Sequence, residues 1–118
     1  MVKDLTKDSF IELIQDFENS SEWNYKGSKP SLIKFGAEWC APCRAIEPVL
    51  NELSSTFDGK VDIYTVDVDE EYELSVKYGI RSVPALMFVP VGEDPQMITG
   101  ALPKTKLVEL FDEILKVN

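Results

Sequence analysis

Two periodicities alternate along this chain and mark out its elements. Ser31-Leu32-Ile33-Lys34-Phe35-Gly36-Ala37 is a short, mostly apolar run, and Ala85 to Val89 is another. Runs of this kind suit strands covered on both faces. Val61, Ile63, Thr65 and Val66 mark a third strand that continues into Asp67-Val68-Asp69. Val2 to Leu5 predicts a short edge strand. Gln96 to Thr99 predicts a hairpin strand, following the turn residues Val91-Gly92-Glu93-Asp94-Pro95. Between the strands the spacing becomes helical. After a Thr6 cap, Phe10, Leu13, Ile14 and Phe17 form one apolar stripe, predicting a helix that ends near Asn19. Ile46, Val49, Leu50, Leu53 and Phe57 predict a long second helix, ended by Asp58-Gly59 and kinked at Pro48. A short helix from Glu70 to Tyr78 stops at Gly79, a residue suited to a left-handed cap. A final helix from about Lys104 carries Leu107, Leu110, Phe111, Ile114 and Leu115 on one face. The order β-α-β-α-β-α-β-β-α predicts an α/β fold: a mixed central β-sheet flanked by helices on both faces.

Little falls outside this scheme. The segment Ser20 to Pro30 is polar, with Gly27 and Pro30. Trp23 and Tyr25 within it are expected to fold back over the core rather than form a partner-binding patch. There are no repeats, low-complexity tracts or linkers, and 118 residues make one domain, 1–118, with a single real core. A formal net charge of -9 opposes binding to nucleic acid or to an anionic membrane. No apolar run approaches the length of a membrane span. Met1-Val2-Lys3-Asp4-Leu5 lacks the apolar stretch of a signal peptide, so a cytoplasmic location is expected. A cleaved signal absent from this chain would make it extracytoplasmic. Asn19-Ser20-Ser21 matches a glycosylation acceptor, which without a secretory signal is taken as chance.

The candidate chemistry lies in Trp39-Cys40-Ala41-Pro42-Cys43-Arg44, which holds both cysteines of the chain. They fall where the central strand hands over to the long helix. The first N–H groups of a helix lack intrahelical acceptors, and the helix dipole adds partial positive charge there. A thiolate at Cys40 gains from both, so its pKa is expected below that of a free thiol. Pro42 suits the first turn, where a missing N–H costs nothing. Cys43 points back toward Cys40 from one turn in and is expected to be the less exposed. This arrangement suggests an outer, water-accessible nucleophile and an inner resolving thiol. A metal site needs about four ligands, and the chain has no histidine and no further cysteine. Zinc would thus require carboxylates or a second subunit. A purely structural disulfide would close too small a loop to constrain the unfolded chain much. Redox chemistry is the favoured reading, and no metal is expected.

Phe35 through Arg44 resembles the active-site stretch of the thioredoxin family, whose usual form is Trp-Cys-Gly-Pro-Cys-Lys; here Ala41 replaces the glycine and Arg44 the lysine. Lys77-Tyr78-Gly79-Ile80-Arg81-Ser82-Val83-Pro84-Ala85-Leu86 resembles the segment carrying the family's cis-proline. Thr99-Gly100-Ala101-Leu102 is similar to the glycine-containing edge of its substrate groove. The resemblance runs nearly end to end and implies a thioredoxin fold. It also implies a cis bond before Pro84, and a substrate surface made of Trp39, Ala41, Pro42, Val83, Pro84 and Gly100. Val83 would offer its backbone to an extended substrate, a mode that gives affinity with little sequence preference. A buried valine, a core tryptophan and an ordinary strand-end glycine are the plain alternatives for Val83, Trp39 and Gly100.

Lys34 is the main departure. The family usually has a buried aspartate at the matching position, paired with a lysine where this chain has Thr65. Lys34 shares a strand face with Leu32 and Gly36. One reading runs its stem along the core and its amine to solvent. The other makes it a tuning group for the dithiol. A charge ~6 Å from a thiolate, at an effective dielectric of about 20, is worth roughly 3 kcal/mol. Stabilising the thiolate would make the disulfide a stronger oxidant.

The sequence is thus expected to encode a thiol–disulfide oxidoreductase, a protein-disulfide reductase acting through Cys40 and Cys43. It would need no cofactor beyond that redox-active disulfide. By resemblance its partners are disulfide-containing proteins and a flavoprotein thioredoxin reductase, and a monomer is expected. The alternatives are an extracytoplasmic oxidant or isomerase, and a thioredoxin-like binding module with incidental cysteines.

Overall fold

The structure, a computed structural model, describes residues 1–118. Its elements are β1 (Lys3–Asp4), α1 (Lys7–Leu13), β2 (Ser31–Gly36), α2 (Ala41–Thr56), β3 (Asp62–Asp67), α3 (Tyr72–Lys77), β4 (Ala85–Val89), β5 (Gln96–Thr99) and α4 (Lys104–Glu113). Every element expected from the sequence is present, in the expected order. The sheet runs β1-β3-β2-β4-β5. β1 and β2 are parallel to β3, while β4 is antiparallel to β2 and β5 to β4. The sheet is therefore mixed.

Strand alternation divides the core into two halves. Leu32, Ile63, Leu86 and Phe88 pack with Ile46, Leu50 and Leu53 of α2 and with Leu107, Leu110 and Phe111 of α4. Ile33, Phe35, Val66, Met87 and Val89 face the other way, toward Phe10, Ile14 and Leu74. β2 lies between β3 and β4 and is buried along its whole length. Each large apolar side chain so buried stabilises the fold by about 1.5–3 kcal/mol. Lys34 and Gly36 share the face of Leu32, so both point toward α2.

Two helices differ in extent from expectation. α1 stops at Leu13 rather than near Asn19, and Leu13 is exposed rather than part of the buried stripe. The cause is Gln15, a buried side chain that holds the following loop. Its Nε2 donates to the Glu22 carbonyl at 2.8 Å and its Oε1 accepts from the Asn24 N–H at 2.6 Å. The Lys26 N–H then closes on the Ile14 carbonyl. Phe17 and Trp23 still reach the core from this loop, ringing Tyr78 at centroid distances of 6.1 and 6.4 Å. Tyr25 lies against the same core, so Trp23 and Tyr25 both fold inward as expected. α3 is also shorter than expected, though it is followed by Gly79 at φ +64°.

Candidate active site

β2 ends at Gly36 in the middle of the sheet, and three residues later the chain turns into α2. Cys40 is the N-cap of that helix, with an extended backbone at φ -92°, ψ 105°. Its Sγ accepts the Cys43 N–H at 3.2 Å, one of the amides that the start of a helix leaves without an intrahelical acceptor. Pro42 sits in the first turn, where it forfeits no hydrogen bond. Cys40 and Cys43 are joined by a disulfide, with Cα atoms 5.3 Å apart. α2 continues through Pro48 to Thr56.

The outer sulfur is more enclosed than the sequence led us to expect. Cys40 is 5% exposed and Cys43 1%. The order of exposure holds, but Cys40 is not openly in water. The cover comes from a loop 43 residues away: the Val83 carbonyl oxygen lies 3.7 Å from the Cys40 sulfur. Val83 and Val68 also pack against the small buried cluster of Ala37, Cys40 and Cys43. The Val83–Pro84 bond is cis, as the resemblance implied. Val83 is partly exposed and Pro84 buried.

The remaining groove candidates gather around this junction. Ala41 and Pro42 are exposed. Trp39 is 70% exposed and not part of the core. Its Nε1 donates to Asp69 Oδ2 at 2.8 Å, which fixes the indole beside the start of the helix. Gly100 has φ +110°, a conformation that a side chain resists, and its N–H donates to the Pro84 carbonyl at 2.8 Å. Gly100 is thus coupled to the proline loop.

Lys34 lies under the site. Its side chain is 6% exposed. Its Nζ donates to the Cys43 carbonyl at 3.5 Å and to Glu47 Oε1 at 3.4 Å. In the sheet register Lys34 stands between Thr65 and Leu86. Thr65 is engaged elsewhere, donating to Asp4 Oδ1 at 2.6 Å. A Cβ on Gly36 would meet Cys43 Sγ and Lys34 Cε, each at 3.3 Å. The sulfur and the lysine stem therefore converge on the space that a glycine leaves open.

Three contacts went unrecognised in the sequence: Asp69 with Trp39, Gly36 against Cys43, and Glu47 with Lys34. Only the last left a signal, since Glu47 is four residues from Cys43 on one helix face. The clearly displaced pKa values lie away from the sulfurs. Burial pushes the Tyr25, Tyr64 and Tyr78 phenols up, the last two to about 12. The Glu18 and Glu73 carboxylates raise Lys7, and a hydrogen bond from Asn19 lowers Asp16.

A disulfide closed across the first turn of a helix, beneath a cis-proline loop and on this strand order, defines a class: thiol–disulfide oxidoreductases built on the thioredoxin fold. Comparison with known proteins narrows the class to a family. The sequence model of thioredoxin matches residues 1–113, and the chain belongs to the thioredoxin family. It is 34% identical over 116 residues to a thioredoxin of Borreliella burgdorferi, covering 98% of this chain and 96% of that one. It is 37% identical over 101 residues to a chloroplastic M-type thioredoxin of Brassica napus, covering 83% of this chain and 57% of that one. A crystal structure of chloroplastic thioredoxin z superimposes with a TM-score of 0.81 at 23% identity, covering 98% of this chain and 96% of that one; this likeness concerns the fold. Thioredoxins work through a redox-active disulfide, and this chain is an oxidoreductase, a protein-disulfide reductase. Neither the oxidant or isomerase nor the non-redox binding module is favoured. No helix is long and apolar enough to cross a membrane.

Proposed function

We propose that Cys40 is the attacking sulfur and Cys43 the resolving one. In the reduced protein the Cys40 thiolate attacks one sulfur of a substrate disulfide. A new S–S bond forms to Cys40, the substrate bond breaks, and the departing sulfur leaves as thiolate and takes a proton from water. Cys43, as thiolate, then attacks Cys40 Sγ. The Cys40–Cys43 bond closes and the second substrate sulfur is expelled, so two electrons pass from protein to substrate.

One observation carries the assignment: Cys40 is the helix N-cap and its sulfur accepts the Cys43 N–H. That amide and the helix dipole favour negative charge on the outer sulfur. The Val83 carbonyl, beside Cys40 and on a partly exposed residue, is positioned to pair with an extended substrate segment. Trp39, Ala41, Pro42 and Gly100 form the rest of that contact surface, the buried Pro84 sets the Val83 carbonyl through its cis bond, and Lys34 tunes the dithiol from beneath. The chain acts as one domain and as a monomer in the cytoplasm, on disulfide-containing proteins. A flavoprotein thioredoxin reductase returns its electrons, and no prosthetic group is needed.

The test uses insulin as substrate. Cys43→Ser is expected to accumulate a mixed disulfide on Cys40, and Cys40→Ser to form none and lose reduction. Trapping on Cys43 in the Cys40→Ser protein would reverse the assignment.

A further inference from the structure

The side of the sheet that carries Lys34 is otherwise acidic. A cavity of about 290 Å³ opens beside Lys34 and Gly36, and Asp4, Glu38, Glu47, Asp67, Glu70 and Glu71 line it. Lys34 is the one cation in that lining. These carboxylates reach it from β1, β3, α2 and the loops after β2 and β3, while β4 sets uncharged Leu86 opposite Lys34 in the sheet. Arg44, next to Cys43 in the chain, is exposed and turns its Nη1 outward to the Glu38 carbonyl. On the inner side of the disulfide, therefore, the nearest charge of positive sign is the Lys34 ammonium. It is hydrogen-bonded to the residue that carries the inner sulfur.

Burial of the Lys34 side chain reduces the solvent screening of this charge. The bond to the Cys43 carbonyl holds the amine against the first turns of α2. The Gly36 gap lets the lysine stem and Cys43 Sγ approach the same point from two sides. Glu47, whose side chain is 53% exposed, partly offsets the cation from the solvent edge.

We propose that the Lys34 ammonium favours the Cys43 thiolate once Cys40 is tied up in the mixed disulfide, making the resolving sulfur anionic before it attacks. Lys34 touches neither sulfur's bond and is a positioning charge, not a catalytic residue. The Cys43 proton goes to water before the resolving step, so no base is required during it. The same charge stabilises the dithiol form over the disulfide, which carries no charge to stabilise, and the protein is a stronger oxidant for it.

The test is the equilibrium of the full chain with reduced and oxidised glutathione at neutral pH, read with the ultraviolet thiolate absorbance against pH. Lys34→Met is expected to shift the ratio toward the disulfide about tenfold, about 30 mV more reducing. It should also move ionisation of the second thiol to higher pH. Lys34→Arg, which keeps the charge, should stay within about twofold of the parent. Glu47→Gln should shift the ratio the opposite way, toward the dithiol, by about threefold. A Lys34→Met protein that loses thermal stability yet keeps the parental ratio would overturn the proposal, as would Lys34→Arg shifting as far as Lys34→Met. Glutathione reports the dithiol alone, so a failure to reduce insulin would count against the proposed substrate chemistry and leave this result standing.

Discussion

Around Cys40 the contacting groups are largely backbone: the Cys43 amide, the Val83 carbonyl and, one step further, the Gly100 amide on the Pro84 carbonyl. Around Cys43 the setting is made by side chains and their absence: the Lys34 ammonium, its Glu47 partner and the gap at Gly36. On the proposed reading the outer arrangement offers main-chain groups to an extended substrate, and many substrate sequences suit such a surface. The inner arrangement carries charge, which on the proposed reading sets how readily the bond opens. Capture and redox poise are thus assigned to opposite sides of one disulfide, and single substitutions should separate them.

The outer side breaks most severely at Gly100. Gly100→Val forces a β-branched residue to φ +110°, at a cost of about 1–3 kcal/mol, and disturbs the amide that holds the Pro84 carbonyl. Insulin reduction should fall about tenfold in kcat/KM, the cost of roughly 1.4 kcal/mol in the transition state. The glutathione ratio should stay within about twofold. This is the reverse of the pattern expected for Lys34, and a shifted ratio with unchanged turnover would merge the two sides.

A smaller effect is expected at Trp39. Trp39→Ala removes an exposed ring and its bond to Asp69, so unfolding free energy should change by no more than about 0.5 kcal/mol. Turnover of a protein disulfide should fall about threefold, while a small soluble disulfide reacts as before. Equal losses on both substrates would assign Trp39 to the dithiol rather than to the contact surface.

Much of this was legible in the sequence, for local reasons. Period-two and period-3.6 patterns marked the larger elements because they bury faces that their own residues define, whereas both residues of the two-residue β1 are exposed. The end of α1 was not legible: Ile14 and Phe17 keep the helical spacing, but Gln15 uses its side chain to hold a loop, and hydrophobic pattern does not register that. The Cys-Ala-Pro-Cys stretch announced the chemistry because helix-start electrostatics are local. The lid over Cys40 comes from Val83, distant in the chain, so the enclosure of the outer sulfur was invisible. Lys34 was marked as unusual by its departure from the aspartate usual in the family, and its strand neighbours Leu32 and Gly36 showed only which face it shares. Its depth and its bonds depend on how β2 meets α2, which only the folded chain reveals.

The central claim is that the start of α2 makes the outer sulfur the reactive anion. Alkylation of the reduced protein by iodoacetamide across pH, with each cysteine followed by mass spectrometry, tests it most directly. Cys40 is expected to be alkylated first, with a midpoint below that of an ordinary free thiol, while Cys43 stays protected. Two sulfurs reacting at equal rates, both with the midpoint of free cysteine, would contradict the account.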